Sequence, residues 1–285
     1  KEINESEPLV VGFSSVSSQF NFVKELAIGI KAISANIINV CGGVLPTIKP
    51  SCILEAKCLD AVFVGESEKA FIEFLAKVER GLDYKDTDNL AYEENGKLII
   101  NKLKPLITNI DDLPYPDRDV YPIAEMLKTT GYMSFLFSRG CPYLCTYCSN
   151  HAIAKRYNLP RNYPRYRSPE SSIMEIESAI NRFPVEKIFI IDDIFGLNKS
   201  WRKEFCEKYK ERIKIKFMCC LRADLIDEEF IQLLKNTGCY YVSIGVESGN
   251  DYVRNSIMKR DISNGQIIRA FYLARKYRIQ TNAIN

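Results

Sequence analysis

Two stretches of this chain alternate short apolar runs with amphipathic stripes, and that alternation narrows the fold more than any other feature. Leu9-Val10-Val11-Gly12-Phe13 reads as a buried strand, after which Phe22, Leu26, Ile30 and Ile33 recur at helical spacing. Ile37-Ile38-Asn39-Val40 reads as a second strand ending in Cys41-Gly42-Gly43, with a short helix near 51–56. Ala61-Val62-Phe63-Val64 reads as a third, ending at Gly65-Glu66; Phe71, Phe74, Leu75 and Val78 form the next helical stripe, stopped at Gly81. Strands and helices joined this way predict a parallel, doubly wound α/β sheet. Ligands of such sheets sit outside the carboxyl ends of the strands.

A second series begins near 133. Runs at 133–138, 187–191, 215–220, 240–244 and 280–284 read as strands, with helical patterns between them. Ser168-Pro169 is a helix start, Asp227 caps a helix that buries Phe230, Ile231 and Leu234, and Gly238 stops it. Five strands and four helices in strict alternation predict a βα barrel of the TIM type, or part of one. Between the two series, Asn95-Gly96 predicts a hairpin over 90–101. Residues 102–132 read as a connector, punctuated by Asp111-Asp112-Leu113-Pro114-Tyr115-Pro116-Asp117-Arg118. The expected organisation is a doubly wound domain over 1–85, a hairpin and linker over 86–132, and a barrel core over 133–285.

Composition removes several alternatives. The chain has 285 residues, 46% hydrophobic and 26% charged, with a net charge of +3. That near-neutral balance makes no case for nucleic acid or an anionic membrane as partner. No apolar run reaches the roughly 18 residues of a membrane span, and no secretory signal is visible. Ten cysteines therefore point to a reducing cytoplasm rather than to disulfides. The chain starts at Lys1 and ends on what reads as the opening of a strand, so it is expected to be an internal piece of a longer protein.

The densest chemical signal is Ser138-Arg139-Gly140-Cys141-Pro142-Tyr143-Leu144-Cys145-Thr146-Tyr147-Cys148, a C-x3-C-x2-C spacing directly after the first strand of the second series. Thiolates are soft ligands that suit iron–sulfur clusters. Three sulfurs on one loop can hold three irons of a cubane and leave the fourth open. Structural zinc wants four closed ligands; His151, the sole histidine, would crowd the loop as the fourth. It reads as a loop polar group or, less readily, a proton carrier. Cys41, Cys52, Cys58, Cys206, Cys219, Cys220 and Cys239 show no cluster-like spacing and read as small buried hydrophobes.

The triplet resembles the signature loop of the radical S-adenosylmethionine (SAM) superfamily. The resemblance implies a [4Fe-4S] cluster on Cys141, Cys145 and Cys148, whose open iron chelates SAM and cleaves it reductively to a 5′-deoxyadenosyl radical. Tyr147 matches the aromatic position that packs near the adenine, though an ordinary hydrophobic role fits equally. Asp192 and Asp193 end the second strand, where the resemblance places the SAM amino or ribose group; the alternative is a helix N-cap. Arg222 ends the third strand and either faces the SAM carboxylate or pairs with Asp224. Glu247 lies in Gly245-Val246-Glu247-Ser248-Gly249, which resembles an element whose acid contacts SAM; a solvated turn is the alternative.

Residues 8–80 resemble the later part of the cobalamin-binding domain that precedes some radical SAM barrels. Three strand ends carry the likeness. In the first, Ser14 or Ser15 is suited to bond the nucleotide tail. In the second, the Gly42-Gly43 pair allows close approach of a corrin, and in the third the resemblance places Gly65 and Glu66 at the cobalamin. One departure is clear: the D-x-H-x-x-G motif is absent, which leaves the lower axial ligand of cobalamin open. The whole is similar to class B radical SAM methyltransferases and to anaerobic magnesium-protoporphyrin ester cyclases. The resemblance implies an oxygen-sensitive enzyme that uses SAM, a [4Fe-4S] cluster and cobalamin to methylate an unreactive carbon of a small-molecule substrate. It also implies an electron donor such as flavodoxin or ferredoxin. An oxidative cyclase or rearrangement enzyme without methyl transfer is the alternative, and a cluster or cobalamin sensor without turnover is a third reading. A methylthiotransferase fits less well, because residues 8–80 lack the extra cysteine set.

Overall fold

The computed structural model describes residues 2–285. The chain divides into two compact units, one of residues up to 107 with 149–160, the other of 108–148 with 161–285.

The first unit opens with a short helix, α1 (Glu2–Ser6), and is built on one sheet of β1 (Val10–Ser14), β2 (Ile38–Gly42), β3 (Ala61–Phe63), β4 (Leu90–Glu94) and β5 (Lys97–Ile100), in that order. The first three strands are parallel and the last two antiparallel. The hairpin expected within the linker is therefore the edge of this sheet. Alternate residues feed its two faces. Cys41, Val62 and Val64 pack with Phe20, Val23 and Ala27 of α2 (Phe20–Ile33). Val40, Ala61 and Phe63 pack with Ala70 and Phe74 of α4 (Glu68–Glu79), where the Phe63 and Phe74 rings meet edge-on at 5.4 Å.

Two details differ from the sequence reading. Helix α2 buries Phe20, Val23, Ala27 and Ile30, whereas Phe22, Leu26 and Ile33 are exposed. The helix carries two apolar stripes, and the one that includes Ala27 takes the sheet. The helix expected near 51–56 is a 3-10 turn, Pro50–Glu55, preceded by α3 (Val44–Ile48).

The second unit holds a fully parallel sheet in the order β12-β11-β10-β9-β6, made by β6 (Met133–Phe135), β9 (Lys187–Ile190), β10 (Lys216–Arg222), β11 (Cys239–Gly245) and β12 (Gln280–Ile284). After α5 (Ile123–Thr130), the connecting helices are α7 (Pro169–Ile180), α8 (Lys199–Arg212), α9 (Glu228–Thr237) and α10 (Asn264–Lys276). Their ends follow local chemistry: Ser168 and Asp227 accept from backbone amides as N-caps, and Gly238 (φ 104°) ends α9 in the left-handed region. The core is aromatic, with Trp201 stacked on Phe205 at 4.9 Å and Phe195 edge-on to Phe205 at 5.6 Å.

The run expected as one strand over 133–138 breaks at Leu136. Beyond it, β7 (Ser138–Cys141) pairs antiparallel with β8 (Asn162–Tyr166). The break has a specific cause. Asp192 Oδ1 accepts from the amides of Phe137 (2.7 Å) and Ser138 (3.2 Å), so these donors serve a carboxylate instead of a strand neighbour. The connector is tied down as well: Arg167 donates to the carbonyls of Leu113 and Pro114, and Arg118 pairs with buried Glu175 at 2.9 Å.

Candidate functional site

The cysteine loop leaves β7 at Cys141. Cys145 is buried, and Cys141 and Cys148 are half-buried. Distant backbone anchors the loop: Thr146 donates from its amide to Met258 O (3.1 Å) and from its hydroxyl to Ile257 O (3.0 Å). Arg161 holds Pro142 O at 2.7 Å. Burial pushes the Cys141 thiol up to about 11, so without a cation this ligand is protonated. Among the described residues no three Cys, His, Asp or Glu side chains converge on one ion. His151 belongs to α6 (Ser149–Arg156), in the first unit.

Arg222 ends β10 and is buried. Its guanidinium lies 3.5 Å over the Tyr143 ring and donates to Cys145 Sγ at 3.9 Å and to Arg260 O at 2.8 Å. It also pairs with Asp224 at 3.0 Å, so the ion pair weighed in the sequence is made.

Glu247 follows β11 in a left-handed conformation (φ 63°) and faces Arg260 at 3.2 Å. It is thus held in an ion pair. Arg260 also donates to Tyr147 OH at 2.6 Å and to Gly245 O at 3.0 Å. A Cβ on Gly245 would fall 2.7 Å from Arg260 Nη2 and 2.9 Å from Glu247 Oε1, so both side chains sit directly over this glycine. Tyr147 and Glu247 therefore meet through a residue that the sequence reading missed. Met258-Lys259-Arg260 carries no local sign that its arginine is buried. Arg260 Nε is buried and lacks a hydrogen-bond partner among the described residues.

The two aspartates separate. Asp192 is buried beneath the strand break, and desolvation pushes its carboxyl up to about 7. Asp193 is exposed. Neither caps α8, whose N-cap is Asn198, accepting from Trp201 N.

At the strand ends of the first unit, Ser14 is exposed and Ser15 is buried, its hydroxyl donating to Val16 O. Gly43 (φ 97°) packs on Ser15, where a Cβ would lie 2.9 Å from the serine N and O. Gly42 is roomier, with Phe63 Cβ its nearest neighbour at 3.9 Å. Gly65 (φ 80°) is covered by Tyr157, and Glu66 Oε2 accepts from Ile107 N at 2.9 Å. Of the three glycines, Gly42 alone would take a Cβ at ordinary van der Waals distance, whereas Gly43 and Gly65 are packed closely by Ser15 and Tyr157.

Residues 135–285 match the model of the radical SAM superfamily, and residues 1–75 match that of the B12 binding domain. The chain belongs to the radical SAM superfamily, and the expected α/β architecture holds. It is 30% identical over 282 residues to an uncharacterized methyltransferase of Pyrococcus horikoshii, covering 97% of this chain and 60% of that protein. It is 27% identical over 260 residues to the anaerobic magnesium-protoporphyrin IX monomethyl ester cyclase of Synechocystis sp., covering 88% and 50%. The chain thus spans 60% or less of these relatives. Among solved structures it resembles the radical SAM methyltransferase TsrM of Kitasatospora setae with tryptophan and a SAM analog (TM-score 0.80, 17% identity, 99% of this chain and 57% of that one). It also resembles the cobalamin-dependent enzyme OxsB with aqua-cobalamin bound (TM-score 0.79, 22% identity, 99% and 41%). These two likenesses are ones of fold. Among the described residues no helix is long and apolar enough to cross a membrane.

Proposed function

We propose that this chain serves a cobalamin-dependent radical SAM enzyme that methylates an unreactive carbon of a small-molecule substrate, with a reduced flavodoxin or ferredoxin as electron donor. The observation that carries the SAM site is the buried Arg260 guanidinium beside Tyr147 and Glu247, with one N–H lacking a partner. A buried donor without an acceptor is costly, and an anionic group supplied by a ligand would relieve it. When bound, the cluster and SAM supply a 5′-deoxyadenosyl radical and the corrinoid supplies a methyl group. Cys141, Cys145 and Cys148 hold three irons. Arg222 braces Cys145 through its contact with the sulfur. Tyr147, Asp193 and Glu247 orient SAM, while Asp192 holds the backbone that leads into the loop. Ser14, Ser15, Gly42, Gly43, Gly65 and Glu66 form the corrinoid edge, with Gly42 as the point of close approach. The B12 binding match over residues 1–75 supports that edge.

A second reading, oxidative cyclisation without methyl transfer, is favoured by the likeness to the Synechocystis cyclase. Anaerobic reconstitution with iron, sulfide and hydroxocobalamin, followed by the visible spectrum and quantification of iron and corrin, tests the proposal. About four irons with stoichiometric corrin support it. Four irons without corrin would remove methyl transfer from a corrinoid.

A further inference from the structure

We infer that Tyr157, assisted by Arg156, is a positioning residue for the corrinoid edge of the first unit; this rests on the cobalamin reading above. Both residues belong to the segment 149–160, which follows the last cysteine of the triplet in sequence yet folds as part of the first unit. Arg156 donates from Nε to Thr47 O (3.1 Å) and from Nη2 to Ile48 O (3.2 Å), the terminal carbonyls of α3. A cation there satisfies carbonyls that the helix leaves unpaired. Thr47 links the neighbouring strand ends, since its hydroxyl donates to Gly43 O (2.8 Å) and accepts from Gly65 N (3.0 Å). The Tyr157 hydroxyl completes the chain by accepting from Glu66 N at 2.8 Å.

Gly65 shows how closely this side chain is fitted. A Cβ there would lie 2.0 Å from the Tyr157 hydroxyl and 2.8 Å from its ring carbon Cζ. Gly65 therefore leaves room for a tyrosine of the same unit, at the edge where a doubly wound sheet meets its ligand. Side chains that fix the loops after β2 and β3 also fix the backbone groups that a corrinoid meets, and preorganised loops bind more tightly.

The test titrates hydroxocobalamin into the anaerobically reconstituted protein and follows the visible absorbance. Tyr157→Phe removes the hydroxyl that accepts from Glu66 N and keeps the ring. It is expected to raise the Kd for hydroxocobalamin about tenfold, with bound iron and the corrin-free melting temperature unchanged. Arg156→Gln, which leaves Tyr157 in place, is expected to move the Kd in the same direction. A Kd within twofold of wild type in both variants overturns the inference. So does a raised Kd that only accompanies a lowered corrin-free melting temperature in both. If the wild type itself binds no hydroxocobalamin, the cobalamin reading fails first, a result distinct from unchanged affinity in the variants.

Discussion

The carboxylate of Asp192 accepts from the amide of Phe137 at 2.7 Å, at the point where the first barrel strand turns toward the cysteine loop. The side chain therefore clamps the backbone at this point. Burial pushes its carboxyl up from 3.8 to about 7. The folded state keeps its proton to near pH 7 while the unfolded chain releases it near pH 4. Between these values the native state binds more protons, so this group lowers stability as pH rises from about 4 to 7, and the effect is complete above that. Asp192→Asn is expected to shrink the stability difference between pH 5 and pH 8, measured by urea unfolding of the cluster-free protein. An undiminished difference would assign the pH dependence to other groups.

Arg260 joins Tyr147 to Glu247. Lysine keeps the charge but cannot span both partners and the Gly245 carbonyl with its single ammonium. Arg260→Lys is expected to weaken SAM binding about tenfold while bound iron stays at the wild-type level. Equilibrium dialysis with labelled SAM on the reconstituted protein, beside an iron assay, checks both parts.

Each cysteine of the triplet is expected to be needed for the cluster. Alanine at Cys141, Cys145 or Cys148 should take bound iron from about four per chain to less than half of that, with loss of the visible charge-transfer absorbance. Alanine at Cys58, half-buried in the first unit, should change neither. Equal iron loss from Cys58→Ala would point to a second cluster.

Gly42 and Gly43 are adjacent but differ in what they allow. At Gly43 a Cβ meets Ser15 backbone at 2.9 Å in a left-handed conformation, so Gly43→Ala is expected to cost about 1–3 kcal/mol in denaturant unfolding. At Gly42 the nearest atom is 3.9 Å away. Gly42→Ala should leave stability within about 0.5 kcal/mol and, on the proposed corrinoid role of this edge, weaken hydroxocobalamin binding.

The sequence by itself determined what local signals encode. Strand and helix alternate where apolar periodicity places them, Ser168 and Asp227 cap helices because their side chains reach the nearby amides, and Gly238 stops α9 because its φ of 104° suits glycine. The three cysteines are legible because ligation from one short loop imposes a spacing. Tertiary structure decided the rest. The buried face of α2 is one of two apolar stripes, and the sheet selects the one with Phe20, Val23 and Ala27. The hairpin's membership of the first sheet depends on pairing Leu90 with Phe63. Arg260 meets Tyr147 across 113 positions, and Tyr157 meets Glu66 across 91. Asp192 takes amides 54 and 55 positions away and so becomes a clamp. Such contacts leave no periodicity or composition behind, because their energy comes from burial and hydrogen-bond geometry that exist only after the chain has closed on itself.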